Sequence, residues 1–328
     1  MEKEKNPPKP AKPASTVVLI REHDQELQVY LVRRSTTSGF FPGSYVFPGG
    51  ALNPDDRDVE FWQKHLDLEP EELQSHFGPE LAISELIVFG VAAVRETFEE
   101  AGIFLARKEN HGNKTFDKDG LRHSTKKLGE DWIHRKVEEE GWTLSFSNLF
   151  PWSHWITPRM MPKRYDTRFF ITFMPEGQEC IPDDREIIHG LWANPIKGLQ
   201  ENMDGRILLS PPTLVTLHEL SRFKSLNSLR RELRCRSWGE PRQPITLGLA
   251  RGAVIIQPWD PDYGKPIEID PNFLKSKVLP VEEPFSRLWL DGEIWRPIRA
   301  TGDPQFRDRT GQTRFKFPVP QETEETLP

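Results

Sequence analysis

Cysteine is nearly missing from this chain of 328 residues: Cys180 and Cys235 are the only two. Two thiols cannot build a disulfide framework or a cysteine-based zinc site, and such scarcity points to a reducing compartment. Long apolar runs are missing as well. The longest, Leu86–Val94 (LIVFGVAAV), has nine residues, against the roughly 20 that a membrane-spanning helix needs. Nor is there an excess of positive charge. Lys and Arg total 44 against 50 Asp and Glu, a net charge of −6, which argues against a nucleic-acid partner. The opening residues mix charge with proline around no apolar centre, so no signal peptide is expected, and the last three are not a Ser-Lys-Leu type peroxisomal address. Residues 1–14 and 318–328 are expected to be disordered tails. A cytoplasmic protein with neither membrane nor nucleic acid as partner is the default expectation.

What is present suffices for a core. Hydrophobic residues make up 36%, with 20 Phe and 10 Trp among them. The length exceeds one compact domain, so we expect a main domain over 15–224 and a β-rich extension over 225–317. Thr16 to Arg34 reads as a β-hairpin with the polar REHDQEL stretch at its turn. TTSGFFPGSYVFPGG, rich in Gly and Pro, is expected to be loop with one short strand at Tyr45–Phe47. In the acidic stretch that follows, EFWQKHLDL and EPEELQSHF predict two short helices. Ser84 is a candidate N-cap for a helix that runs to Gly102, where a glycine suits a helix end. Further on, Gly129–Glu140 predicts a helix, RYDTRFFITFMP and HGLWANP predict strands, and SPPTLVTLHELSRF predicts a helix opened by prolines. After about Ser225, ITLGLARGAVIIQPW and PFSRLWLDGEIWRPI read as strand pairs, the second turning at Asp291–Gly292.

One segment stands out, AVRETFEEAG (Ala93–Gly102). Ile87, Val91, Val94 and Phe98 form one apolar stripe on this helix. Glu96, Glu99 and Glu100 share another face, since positions three and four apart are neighbours on a helix. Three carboxylates on one face repel each other unless a cation sits among them, and hard ions such as Mg²⁺ favour oxygen ligands of this kind. Arg95 can pair with Glu99 one turn on. A solvated acidic surface is the alternative, and spacing alone leaves both open. Two features weigh against it: the helix is apolar where it begins, and the acidic trio sits at the end disfavoured by the helix dipole.

RETFEEAGI (Arg95–Ile103) resembles the second half of the signature of the Nudix hydrolases, Arg-Glu-x-x-Glu-Glu-x-Gly and an apolar residue. Thr97 stands where the signature has an aliphatic residue. The first half requires a glycine with a glutamate six positions on; VFPGGALNPDD supplies Gly50 and, at that spacing, Asp56. Arg95 falls 45 positions after Gly50 instead of 14, leaving 31 extra residues. The signature is therefore split by an insertion over about 53–83, which costs little closure entropy in a surface loop. An insertion at this place, with PWSHWITP and RYDTRFF, resembles the peroxisomal-type coenzyme A diphosphatase branch. Half of the coenzyme A motif is present: Arg34–Ser35, Gly43 and Phe47-Pro48-Gly49-Gly50 match, while Val32 and Gly39 replace a threonine and an arginine.

The resemblance implies an α/β/α sandwich around a mixed β-sheet, with a helical insertion within the Nudix box. It implies Mg²⁺- or Mn²⁺-dependent hydrolysis of a diphosphate bond in a nucleoside diphosphate linked to another group. Coenzyme A or acyl-coenzyme A leads as substrate, with ADP-ribose, NADH, a dinucleoside polyphosphate or a nucleotide sugar behind it. A binding module without turnover is the rival of another class. Glu96, Glu99 and Glu100 would hold the metal, with Asp56 as a further candidate ligand and Arg95 orienting the glutamates. Gly49 and Gly50 would let the backbone pass close to the helix. Glu186 is the candidate base, with Asp183 and Asp184 as rivals. Arg34, Ser35, Phe47, Arg164 and Arg168 are candidate substrate contacts, with Arg33 and Lys163 as further cations. Asp166 is expected to pair with an arginine, and His154, Trp152 and Trp155 to pack in the core. A homodimer is left open.

Overall fold

Val17 to Ile20 are all fully buried, and that continuous apolar run is what a strand covered on both faces requires. The computed structural model describes residues 9–108, 131–181 and 187–300. In it β1 (Lys12–His23) is the axis of a seven-stranded mixed sheet. Asp24 and Gln25, at φ 50° and 62°, turn β1 into β2 (Glu26–Arg34), the two-residue hairpin whose twist matches its strands. Beyond β2 the sheet takes up β3 (Tyr45–Val46), and β4 (Gly49–Ala51) pairs with the start of β1.

The insertion forms α1 (Val59–Trp62) and α2 (Pro70–Phe77), the two short helices expected. The long helix is α3 (Ile83–Ala101), closed by Gly102 in the left-handed conformation at φ 71°. Its N-cap is Ala82 rather than Ser84, and Glu85 accepts from the Ala82 N–H at 3.2 Å. The side chain of a later residue thus satisfies the N–H of the N-cap itself, while no N-cap side chain meets the N–H groups of the first turn. After β5 (Ala106–Arg107) come α4 (Trp132–Glu140), β6 (Thr143–Leu144) and β7 (Phe150–Ile156).

β8 (Tyr165–Phe173) pairs with β1 in parallel, from Lys12↔Tyr165 to Ile20↔Phe173. Strand structure therefore reaches three residues into the segment expected to be tail. The Lys12 N–H donates to the Arg164 carbonyl at 2.9 Å, a ladder bond to which hydrophobic patterning is blind. β9 (Ile187–Ala193) then adds to β2, followed by α5 (Pro195–Met203), α6 (Pro211–Leu220) and α7 (Leu226–Leu233). Prolines open both α5 and α6, where their missing N–H costs nothing.

Helices α1 to α4 bury one face of the sheet, with Val17, Leu19, Leu73, Ile87, Val91 and Phe98 in that core. On the other face Val18, Ile20 and Leu31 meet α5, α6 and α7. The last strands, β10 (Ile245–Gly248), β11 (Ala253–Ile256), β12 (Arg287–Asp291) and β13 (Ile294–Ile298), form a separate antiparallel meander. Asp291 pairs with Ile294, so Gly292 and Glu293 make the turn, one residue later than expected. This extension is stitched to the main domain. Trp238 lies in the core beneath α3, stacked on Phe77 at 5.9 Å, and its indole N–H donates to the Phe169 carbonyl.

Candidate active site

Arg95 is 3% exposed and organises the end of α3. Its Nε and Nη2 each donate to a different oxygen of Asp56 at 2.9 Å, Nη2 also donates to the Ala51 carbonyl at 3.1 Å, and Nη1 reaches Glu96 at 2.7 Å and Glu99 at 3.0 Å. Burial alone would lower the Arg95 pKa. The hydrogen bond to Asp56 and the charges of Glu96, Asp56 and Glu99 outweigh it and raise the guanidinium above its ordinary value. Burial likewise pushes the Glu96 carboxyl up to about 7; Arg95 opposes this and Glu99 adds to it. A carboxyl that is costly to ionise beside two others marks a place where added positive charge would be favourable.

β4 is laid against this helix. The Gly49 N–H donates to Glu100 at 2.8 Å. A Cβ at Gly49 would stand 2.7 Å from Thr16 Cα, and one at Gly50 would stand 2.6 Å from the Glu96 carboxyl carbon. At Gly49 the obstacle is the β1 backbone, so glycine is required there; at Gly50 it is the end of a side chain, and glycine lets β4 touch the Glu96 carboxylate as it stands. From the other side the Trp132 indole N–H donates to Glu99 at 2.7 Å. Among the described residues no three His, Cys, Asp or Glu side chains are already gathered as a ready-made metal cage; their oxygens are turned to Arg95, Trp132 and the β4 backbone.

These groups line one end of a cleft of about 1460 Å³. Arg95, Glu96, Glu99, Glu100, Gly49, Gly50, Phe47 and Arg34 are all on its wall, and so is Lys163. Five expected contacts fall elsewhere, among them Arg33, whose Nε donates to the Gly43 carbonyl at 3.3 Å. Asp56 is fully buried, with both oxygens taken by Arg95 and one also accepting the Asn53 N–H. It anchors the arginine and is absent from the cleft wall, where a metal ligand was expected. The Ser35 hydroxyl bonds Thr37 within its own loop. Arg164 donates to the carbonyls of Lys9 and Thr157, tying down the start of β1. Arg168 lies over the rings of Phe89 and Trp238, 5.7 Å from each. Sequence alone does not say which side of a strand an arginine takes, and for both the sheet chose structure. Asp183, Asp184 and Glu186 lie outside the described residues.

Of the residues expected to pack, Trp152, Trp155 and His154 are buried. Asp166 finds His154 at 2.5 Å rather than an arginine, and although burial opposes it this contact holds its carboxyl below the usual range. Trp132 had no signal in the sequence, because its contact with Glu99 spans 33 positions.

A mixed sheet between helices, with a Gly-Gly strand laid on an Arg-Glu-x-x-Glu-Glu helix, is the architecture of a Nudix hydrolase. Comparison agrees in detail: residues 5–223 match the model of the NUDT19 Nudix domain, and the chain belongs to that family. Acyl-coenzyme A diphosphatase NUDT19 of Homo sapiens is 28% identical over 305 residues, covering 83% of this chain and 80% of that protein. Its counterpart in Gallus gallus is 27% identical, covering 83% and 82%. In fold, the chain is similar to a crystal structure of a NUDIX hydrolase from Alicyclobacillus acidocaldarius, with a TM-score of 0.57 at 24% identity over 70% of this chain and 99% of that one.

Proposed function

We propose that this protein hydrolyses the diphosphate bond of coenzyme A or an acyl-coenzyme A, with Mg²⁺ or Mn²⁺, in a reducing cytoplasmic setting. The observation that carries this reading is the meeting of Glu96, Glu99 and Glu100 with the Gly49–Gly50 backbone at one end of a large cleft. The relatives named acyl-coenzyme A diphosphatase support the substrate.

The donor set suits a hard divalent cation, since it is carboxylate oxygen throughout. Asp56, Glu96 and Glu99 share one guanidinium, so negative charge is in surplus. Glu96, Glu99 and Glu100 would hold the ion, which when bound neutralises phosphate oxygens and polarises water. Arg95, fixed by Asp56, keeps Glu96 and Glu99 at the cleft wall. The Gly49 N–H holds Glu100 and the Trp132 indole gives Glu99 a second donor, so the site is largely preorganised. Arg34 and Lys163 supply positive charge for the phosphates. Glu186 is proposed as base for the attacking water.

The test is product analysis. Incubating the purified chain with coenzyme A, acetyl-coenzyme A, NADH and ADP-ribose, with Mg²⁺ or Mn²⁺, should release phosphopantetheine or its acyl form together with an adenosine 3′,5′-bisphosphate. Glu99→Gln and Glu100→Gln should each lose most of that turnover while keeping the wild-type melting midpoint. Turnover of ADP-ribose or NADH alone would reassign the substrate, and wild-type rates in both variants would remove the glutamates from the site.

A further inference from the structure

The cleft is too large and too lopsided for a nucleotide diphosphate alone. Its volume of about 1460 Å³ exceeds the roughly 300–1000 Å³ usual for small-molecule sites. One wall comes from the Nudix sheet and α3; the opposite wall comes from the four-stranded meander, through Thr246, Ala253, Ile255, Leu290 and Trp295.

Those five residues share one face of the meander. Thr246 pairs with Ile255, and Leu290 pairs with Trp295; Ala253 is two residues from Ile255, and side chains alternate along a strand. The alternate set, Val254, Ile256 and Ile298, packs into a small core of its own with Leu274. The inner face is therefore directed at the main domain. Ile255 and Trp295 are buried there, while Ala253 and Leu290 remain half-exposed along the cleft. Charge is divided as well. Arg34 and Lys163 stand on the Nudix side, whereas the meander contributes a single charged lining residue, Glu293. A carboxylate and an aliphatic wall are poor company for phosphate, and good company for a hydrocarbon chain ending near solvent.

We propose that the inner face of this meander is the subsite for the acyl chain of an acyl-thioester substrate, so that the extension sets chain-length preference. This rests on the coenzyme A reading above. The diphosphate would lie at the glutamates, and the thioester-linked chain would run along Ala253, Ile255 and Leu290. Each methylene buried there is worth about 0.8 kcal/mol, or up to about fourfold in kcat/KM.

The experiment measures kcat/KM of the full chain for free coenzyme A and its acetyl, hexanoyl and dodecanoyl thioesters, in wild type, Ala253→Phe and Leu290→Ala. Wild type should favour hexanoyl over acetyl by at least tenfold. Ala253→Phe, which fills the groove, should cut the ratio of dodecanoyl to acetyl at least tenfold. Leu290→Ala removes apolar wall without adding bulk and should lower that ratio severalfold with the melting midpoint retained; it decides the matter if Ala253→Phe fails to fold. An active wild type indifferent to chain length, or ratios unmoved in Leu290→Ala, would overturn the subsite and leave the diphosphatase reading standing. A wild type that cleaves neither coenzyme A nor its thioesters would instead remove that reading, and the subsite with it.

Discussion

Arg95 and Asp56 are separated by 39 positions in the chain, yet the guanidinium grips both carboxylate oxygens at 2.9 Å in a fully buried pair. The insertion starts beside Asp56 and rejoins at α3, and this pair closes the gap it makes. Removing one partner of such a pair strands a buried charge, at a cost of about 3–5 kcal/mol. Asp56→Ala should therefore lose that much stability in denaturant unfolding, and kcat/KM should fall because Arg95 no longer holds Glu96 and Glu99. A variant with wild-type stability would show the pair to be incidental.

Gly50→Ala separates activity from folding. The added methyl meets the carboxyl of Glu96 at 2.6 Å, a side chain that can swing away, so the strain should stay near the low end of about 1–3 kcal/mol. We expect at least a tenfold drop in kcat and a higher Mn²⁺ concentration for half-activation, with a melting midpoint only slightly reduced. Unchanged half-activation by Mn²⁺ would separate Glu96 from ion binding.

The raised pKa of Glu96, about 7 against an ordinary 4.5, predicts a pH dependence with a definite sign. A carboxyl that holds its proton more tightly when folded stabilises the protein fully below pH 4.5, and that stabilisation is lost as pH rises through 7. In chelator the difference is on the order of 3 kcal/mol. Wild type should lose stability relative to Glu96→Gln between pH 5 and pH 8, and saturating Mg²⁺ should restore most of it at pH 8. Parallel pH profiles for the two proteins would contradict the shift.

Trp132→Phe keeps an aromatic ring in the core and deletes one N–H donor to Glu99. Hydrogen bonds to charged groups contribute about 1.5–3 kcal/mol. The variant should fold, with the divalent-cation requirement raised about tenfold and KM for substrate little changed. A rise in KM alone would place Trp132 against the substrate instead.

The elements set by local chemistry were legible in the residues. The hairpin, the helix ending at Gly102, the two insertion helices and the proline-opened α6 all follow from patterning, turns and caps. The glutamate cluster was legible too, because a single helix carries it. What escaped depended on pairing between distant segments. The start of β1 at Lys12 is held by the β8 backbone, Asp56 is claimed by Arg95, and Arg164 and Arg168 are drawn to a pair of carbonyls and a pair of rings. Each choice is made in three dimensions among partners of equal chemical merit. The stitching of Trp238 under α3 had no local sign at all, whereas α5 carries one in the Asn194–Pro195 pair that opens it.

Trp238 carries a last consequence. The match to the Nudix domain ends at residue 223, but a tryptophan fifteen residues later fills the centre of the hydrophobic layer under α3. The stretch that carries the domain signature is thus smaller than the stretch that fills its core. A fragment cut at the edge of that domain would carry Glu96, Glu99 and Glu100 and a hole where an indole belongs.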